Sequence, residues 1–199
     1  MADNDYMAVP LDVIKLSPKR TRPRGDVELV VNVEHFRTVV REGMLQAKVS
    51  LDISTADFKA MLVPGVGRRA ESIVDIFRKL AARGVEIRLM HSGTPSGPAM
   101  RDLKRALPQN LTIRRCPRLH AKAVIIDSAR MYLGSANLTG AGLGAKGEDK
   151  RNFEMGIWTE SPSLIDGVLE QFNALWEGQR CVSCRRKDVC PVPLEEPRL

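Results

Sequence analysis

Aromatic residues are scarce in this chain: 5% of 199 positions, with only two tryptophans and two tyrosines. So little aromatic material argues against an apolar surface built to lie on lipid. Long apolar runs are also lacking, and none approaches the roughly 18 residues that a membrane span needs. The opening stretch MADNDYMAVP has neither the basic nor the apolar region of a secretory signal, so a cytoplasmic location without membrane association is expected. Acidic residues are in deficit, 24 against 31 lysines and arginines. The resulting net charge of +7 and pI near 9.5 favour a polyanionic partner, either nucleic acid or an anionic membrane surface.

What is present fits one compact α/β domain with short appendages. Residues 1–26 include SPKRTRPRG, in which Lys19, Arg20, Arg22 and Arg24 are interspersed with prolines. Like charges and prolines oppose both helix and sheet, so this reads either as a solvated linker or as an arm that grips substrate phosphates. From 27 to 178 strand-like and helix-like segments alternate. Strands are expected at residues 27–33, 48–54, 85–91, 111–115, 120–127, 131–134 and 152–158. Helices are expected at 34–45, 70–84, 100–107 and 161–178, the second terminated by Gly84 and the last opened by Ser161 and Pro162. Such alternation implies a layered domain, a mixed central sheet flanked by helices. Residues 179–199 form a separate cysteine-rich tail.

The stretch RLHAKAVIIDSARMYLGSANLTG, residues 118–140, concentrates polar groups that a packed strand does not need. His120 and Lys122 are two apart and so share one face of a strand, while Ala121, Ala123 and Ile125 face the other way. Asp127 ends the strand, where a carboxylate can support a loop. Gly134 allows a tight turn, and Ser135 and Asn137 again lie two apart. The set offers an imidazole nucleophile or base, a fixed cation and two neutral donors, without the carboxylate cluster that would suit Mg²⁺. That is equipment for stabilising a phosphoryl group without a catalytic metal.

These residues complete the pattern H-x-K-x4-D-x6-G-S-x-N, and in it the sequence resembles the phospholipase D superfamily. Six fixed positions across eighteen residues make a chance match improbable. The following NLTGAGL and RNFEMGIW resemble the equivalent stretch of the family's small bacterial and restriction-type nucleases. The resemblance implies a phospholipase D-like fold and phosphodiester cleavage through a covalent phosphohistidine. His120 would be the nucleophile, with Lys122, Ser135 and Asn137 holding phosphoryl oxygens. Glu154 would orient the imidazole and Asp127 would be structural. Two such motifs are required, yet neither His35 nor His91 begins an H-x-K, so a homodimer pairing two motifs is implied.

Other signals are thinner. Gly65-x-Gly67-x-x-Ala70 before a helix, with Glu86 downstream, loosely fits a dinucleotide fold, a pattern common by chance. Arg68 and Arg69 near that helix start are candidates for contacting substrate phosphate. His91, at a strand end, reads as a polar surface residue. Cys181, Cys184 and Cys190 are spaced C-x2-C-x5-C, and Cys116 lies just before the catalytic strand. Four thiols suit one Zn²⁺ or one iron–sulfur cluster in a structural role. The run resembles the cluster-binding tails of some nucleases, which favours [4Fe–4S] over zinc.

Together these observations lead to an expected metal-independent nuclease, an endonuclease on DNA or RNA. The alternatives are a phospholipid phosphodiesterase of the same chemistry and a non-catalytic nucleic-acid-binding module. A larger nucleic-acid-processing or defence complex is a further candidate partner.

Overall fold

The computed structural model describes residues 27–65, 70–105, 107 and 109–197. A seven-stranded mixed sheet organises them, in the order β1-β9-β8-β7-β2-β5-β6. Its strands are β1 (Val27–Val31), β2 (Ser50–Thr55), β5 (Glu86–His91), β6 (Leu111–Arg115), β7 (Lys122–Ile126), β8 (Arg130–Gly134) and β9 (Met155–Thr159). Strands β2, β5 and β6 run parallel, and β2-β7-β8-β9-β1 pair antiparallel. A small ribbon, β3 (Leu62–Pro64) with β4 (Ala70–Ser72), stands apart from the sheet and is not expected from the sequence.

The sheet is covered on both faces, and the alternation of its side chains shows how. Ile87 and Leu89 of β5, with Val124 and Ile126 of β7, enter the main core. On that side it meets α1 (Ile73–Ala82) and α2 (Gly97–Arg105). Helix α1 buries Ile73, Val74, Ile76, Phe77 and Leu80, a stripe at helical spacing. Ser72 accepts the Asp75 N–H at its start, and Gly84, at φ +89°, closes its end. Met90 and Ile125 point to the opposite face, where α3 (Pro162–Trp176) contributes Ile165, Phe172 and Trp176. Burying each such side chain contributes about 1.5–3 kcal/mol. The expected layered α/β architecture is therefore what the chain adopts.

Arg88, ion-paired to Asp52 within the sheet, also anchors α3. Arg88 donates to Asp52 Oδ1 at 2.6 Å and to Asn173 Oδ1 at 3.0 Å, with its guanidinium over the Phe172 ring at 4.9 Å. The helix expected at 34–45 is split into two short pieces, Phe36–Arg41 and Met44–Gln46. Gly43 lies between them, where a Cβ would come within 2.5 Å of the Val39 carbonyl and 2.9 Å of the Trp158 ring. Helix α2 begins earlier than expected because Ser96 caps it, its hydroxyl accepting the Ala99 N–H at 3.3 Å. The expected N-cap geometry at Ser161 is present in the backbone, but its hydroxyl meets Ser163 rather than a helix amide.

Candidate active site

The first residue of β7, the last of β8, the residue before β9 and the last of β2 all lie at one end of the sheet. Lys122 pairs in register with Gly134, Gly134 pairs with Gly156, and Thr55 ends β2. This is the carboxyl end of the parallel strands, where the loops of an open α/β sheet converge. His120 precedes β7 instead of belonging to it. Its backbone leaves the sheet before the strand begins, which exposes the imidazole.

Lys122 is almost fully buried, at 8% exposure. Its Nζ donates to the His120 carbonyl at 2.8 Å and stands 3.1 and 3.2 Å from the two ring nitrogens of His120. Burial holds its pKa below the ordinary lysine value, with Glu154 and Asp57 partly opposing the shift. A buried ammonium beside the imidazole is a fixed charge in a low-dielectric setting, the arrangement that best stabilises developing negative charge.

Asn137 is oriented by the neighbouring loop. Its Oδ1 accepts the backbone N–H groups of Ala56 and Asp57 at 3.0 and 3.1 Å, so the amide NH₂ is turned the other way as a donor. Ser135 and Glu154 meet each other: the serine hydroxyl donates to Glu154 Oε2 and accepts the Met155 N–H at 3.1 Å. Glu154 also accepts from Asn152 at 3.0 Å. In the described residues the Glu154 carboxylate, expected to orient the His120 ring, meets Ser135 and Asn152. Asn32, in a left-handed conformation at φ +48°, holds the Glu154 backbone by accepting its N–H and donating to its carbonyl.

Gly134 also differs from its expected role. A Cβ there would lie 2.6 Å from both Gly156 Cα and the Met155 carbonyl, so the glycine permits close strand packing under the Tyr132 ring. Asp127 lies at the far end of β7 from the site. It accepts the N–H groups of Lys48, Val49 and Ser50 at 2.7–3.2 Å, tying the start of β2 to the end of β7. Burial alone would raise its pKa, but the Val49, Lys48 and Ser50 amides and the Arg130 charge together hold it low.

His91 is buried, in contrast to the expected surface position. Its Nδ1 donates to the Gly93 carbonyl at 2.7 Å, and its Nε2 has no partner among the described residues. Arg68, Arg69, Lys19, Arg20, Arg22 and Arg24 lie outside the described residues. Two residues with no signal in the sequence, His35 and Tyr132, support the loop from below. They lie far along the chain from each other, and only the packing of β8 against the Phe36–Arg41 segment joins them.

The four cysteines, Cys116, Cys181, Cys184 and Cys190, are free thiols that line a single cavity of about 590 Å³. His120 lines the same cavity. Among the described residues, no three His, Cys, Asp or Glu side chains converge tightly enough to hold a metal ion. The expected centre, a [4Fe–4S] cluster in preference to zinc, is therefore not shown by the described side chains. The tail crosses the sheet end, where Arg115 N donates to the Glu195 carbonyl at 3.0 Å.

The comparisons agree with this architecture. A family model described as a phospholipase D-like domain of cardiolipin synthase matches residues 40–176. The chain superposes on Nuc from Salmonella typhimurium, a phospholipase D family member, with a TM-score of 0.56 and 19% identity. That match covers 87% of this chain and 98% of the other. Against NucT from Helicobacter pylori the TM-score is 0.55 at 17% identity, covering 76% and 95% of the two chains. No curated protein is similar enough in sequence to match. The chain belongs to the phospholipase D-like family, and its chemistry is that of a phosphodiesterase.

Proposed function

We propose that this protein is a metal-independent endonuclease acting on DNA or RNA, working as a homodimer that pairs two copies of one motif. The observation that carries the reading is the contact of Lys122 Nζ with both ring nitrogens of an exposed His120, inside a motif complete at all six positions. A basic chain of net charge +7 favours nucleic acid over a neutral partner. No helix among the described residues is long and apolar enough to cross a membrane.

In this reading a His120 ring nitrogen attacks phosphorus, forming a P–N bond as the P–O bond to the leaving nucleotide breaks. His120 of the second copy, protonated, delivers its proton to the departing oxygen. That same histidine then takes a proton from water, whose oxygen attacks phosphorus and releases His120. Lys122 and the Asn137 amide stabilise the phosphoryl oxygens as charge gathers there. Ser135, held by Glu154, keeps the loop bearing Asn137 against β9. Iron or zinc bound by the cysteines would take no part in these steps.

An apolar strip supports the pairing of two copies. β1 is an edge strand, and Leu29, Met155 and Phe153 are 63%, 67% and 96% exposed beside the end of the sheet where the site lies. The reaction needs an attacker and a proton donor, and one motif supplies one imidazole, so a second copy is the occupant assigned to this strip. The cytoplasm, where free thiols stay reduced, is the compartment that suits the four cysteines.

The deciding assay offers single- and double-stranded DNA, RNA and phospholipid vesicles to wild type and His120→Ala, each with and without EDTA. Cleavage of a nucleic acid that survives EDTA and vanishes in His120→Ala is expected. Hydrolysis of phospholipid alone, or activity retained in His120→Ala, would overturn the reading.

A further inference from the structure

The tail beyond α3 has no core of its own. It is tied at one end by Gly178, whose carbonyl accepts the Cys181 N–H at 2.8 Å, and at the other by Leu194, which packs with Leu119, Phe172 and Trp176. Between these ties its valines point outward: Val182 is 90% exposed and Val192 51%. Burial therefore cannot hold the intervening loop. What the loop does present inward is Cys181, Cys184 and Cys190, facing Cys116 across one cavity.

The lining of that cavity selects its occupant. It contains four thiols and five cationic residues, Arg115, Arg118, Arg180, Arg186 and Lys187, and no carboxylate. An oxygen-loving cation finds no ligand there, whereas a thiolate-bound centre of net negative charge finds both its ligands and its counter-charge. The Arg118 guanidinium already donates to Cys184 Sγ at 3.6 Å. Zinc requires all its sulfurs at ~2.3 Å from one point, whereas these four thiols line a cavity of about 590 Å³, far larger than one ion. In a four-iron cube each thiolate ligates a different iron, so the four sulfurs stand apart around a body much larger than an ion.

We propose that Cys116, Cys181, Cys184 and Cys190 ligate one [4Fe–4S] cluster, which fastens the tail to the loop that carries His120. Cys116 is four residues before His120, and the turn between them closes through Leu119 N–H on the Cys116 carbonyl at 2.9 Å. The cluster would thus fix the start of the catalytic strand. Its four thiolates occupy one coordination position on each iron, so its role is structural and positional. This inference goes beyond the nuclease reading and stands without it.

The experiment is anaerobic purification of the full chain, followed by measurement of iron, acid-labile sulfide and zinc. Expected are about four irons and four sulfides per chain, with a broad absorbance at about 400 nm that bleaches with dithionite. Cys116→Ser and Cys190→Ser should each lose that absorbance, while His120→Ala retains it in full. Circular dichroism on each variant distinguishes lost ligation from lost folding. Reconstitution of wild type with ferrous iron and sulfide covers loss during purification. Near-stoichiometric zinc without iron, an apo protein that fails to reconstitute, or full iron in a folded Cys116→Ser would each overturn the assignment.

Discussion

His35 and Tyr132 meet edge to face in the core, ring centroids 5.1 Å apart, with His35 Nε2 3.0 Å from the Tyr132 hydroxyl. The directions of the surrounding bonds are fixed. His35 Nδ1 donates to the Asn32 carbonyl at 2.8 Å, so its Nε2 is the acceptor for the tyrosine O–H. The tyrosine oxygen in turn accepts the Ala136 N–H at 3.1 Å. Burial keeps His35 neutral by lowering its pKa, and pushes the Tyr132 hydroxyl up to about 12. A chain of hydrogen bonds, buried at its centre, thus runs from the Asn32 turn, which holds Glu154, to the loop that holds Ser135 and Asn137.

Tyr132→Phe tests that relay. The variant strips a partner from both the His35 ring and the Ala136 amide in a buried setting, at a cost of about 1–3 kcal/mol. Denaturant unfolding should show that loss. Cleavage should fall mainly in kcat, since the loop loses its support while the phosphate-binding charge of Lys122 stays. Unchanged kcat in a folded Tyr132→Phe would show that the loop is positioned without it.

Lys122→Ala should lower kcat/KM by roughly 10²–10³-fold, the scale expected on removing a preorganised charge from the transition state. The pH profile carries a second signature. Because burial lowers the Lys122 pKa, the ammonium loses its proton below the pH at which an ordinary lysine would. The wild-type alkaline limb should accordingly fall below that of a free lysine side chain. Activity that is flat to pH 10.5 would contradict the assigned role.

Asp127 predicts an acid limit on stability. Its carboxyl is held below the ordinary value by three amides and Arg130, so ionisation is favoured more in the folded than in the unfolded chain. The stabilisation is fully present above the unfolded pKa of 3.8 and disappears as pH falls through the lower folded value. Asp127→Asn should lose about 1–3 kcal/mol at neutral pH, and its stability should converge with wild type in acid. Activity should drop only as far as folding does. An equal deficit at all pH values would point to lost geometry instead of lost charge.

Arg88→Ala should be among the more damaging substitutions outside the site. It leaves Asp52, whose side chain is 4% exposed, as a buried charge without its partner, costing on the order of 3–5 kcal/mol. Replacing both, Arg88→Met with Asp52→Leu, should recover much of that loss. Thermal unfolding of the single and double variants checks the sign of the coupling.

Pairing of copies is read by sedimentation. Wild type should be a dimer, and Phe153→Asp with Met155→Asp should be a monomer without nuclease activity. An active monomer would refute the two-histidine mechanism. A dimer that persists unchanged in the variant would place the interface elsewhere.

The motif was legible in the sequence because its chemistry is local: His120 and Lys122 lie at the start of one strand, Ser135 and Asn137 just past the end of the next, and their identity sets which atoms can attack or hold a phosphate. The alternating layers were legible for a related reason, since hydrophobic periods of two and about 3.6 determine which faces must be covered. Glu154 shows where that local logic stops. The resemblance suggested the imidazole for it, while the approach of the residue before β9 to the loop after β8 brings its carboxylate to the Ser135 hydroxyl. Gly134 was legible as a glycine but not for its reason, which is the approach of Gly156 from a neighbouring strand. His35, Tyr132 and Asn32 carried no signal, because each acts through partners that only packing supplies. The cysteines divide in the same way. Their spacing announced thiolate chemistry, while the folding of the tail across the ends of β5 and β6 decided that all four would face one cavity beside His120. Sequence determines which groups can react, through bonded neighbours and short periods; tertiary structure decides which of them meet, because those contacts depend on strand register and burial over distances the chain does not encode locally.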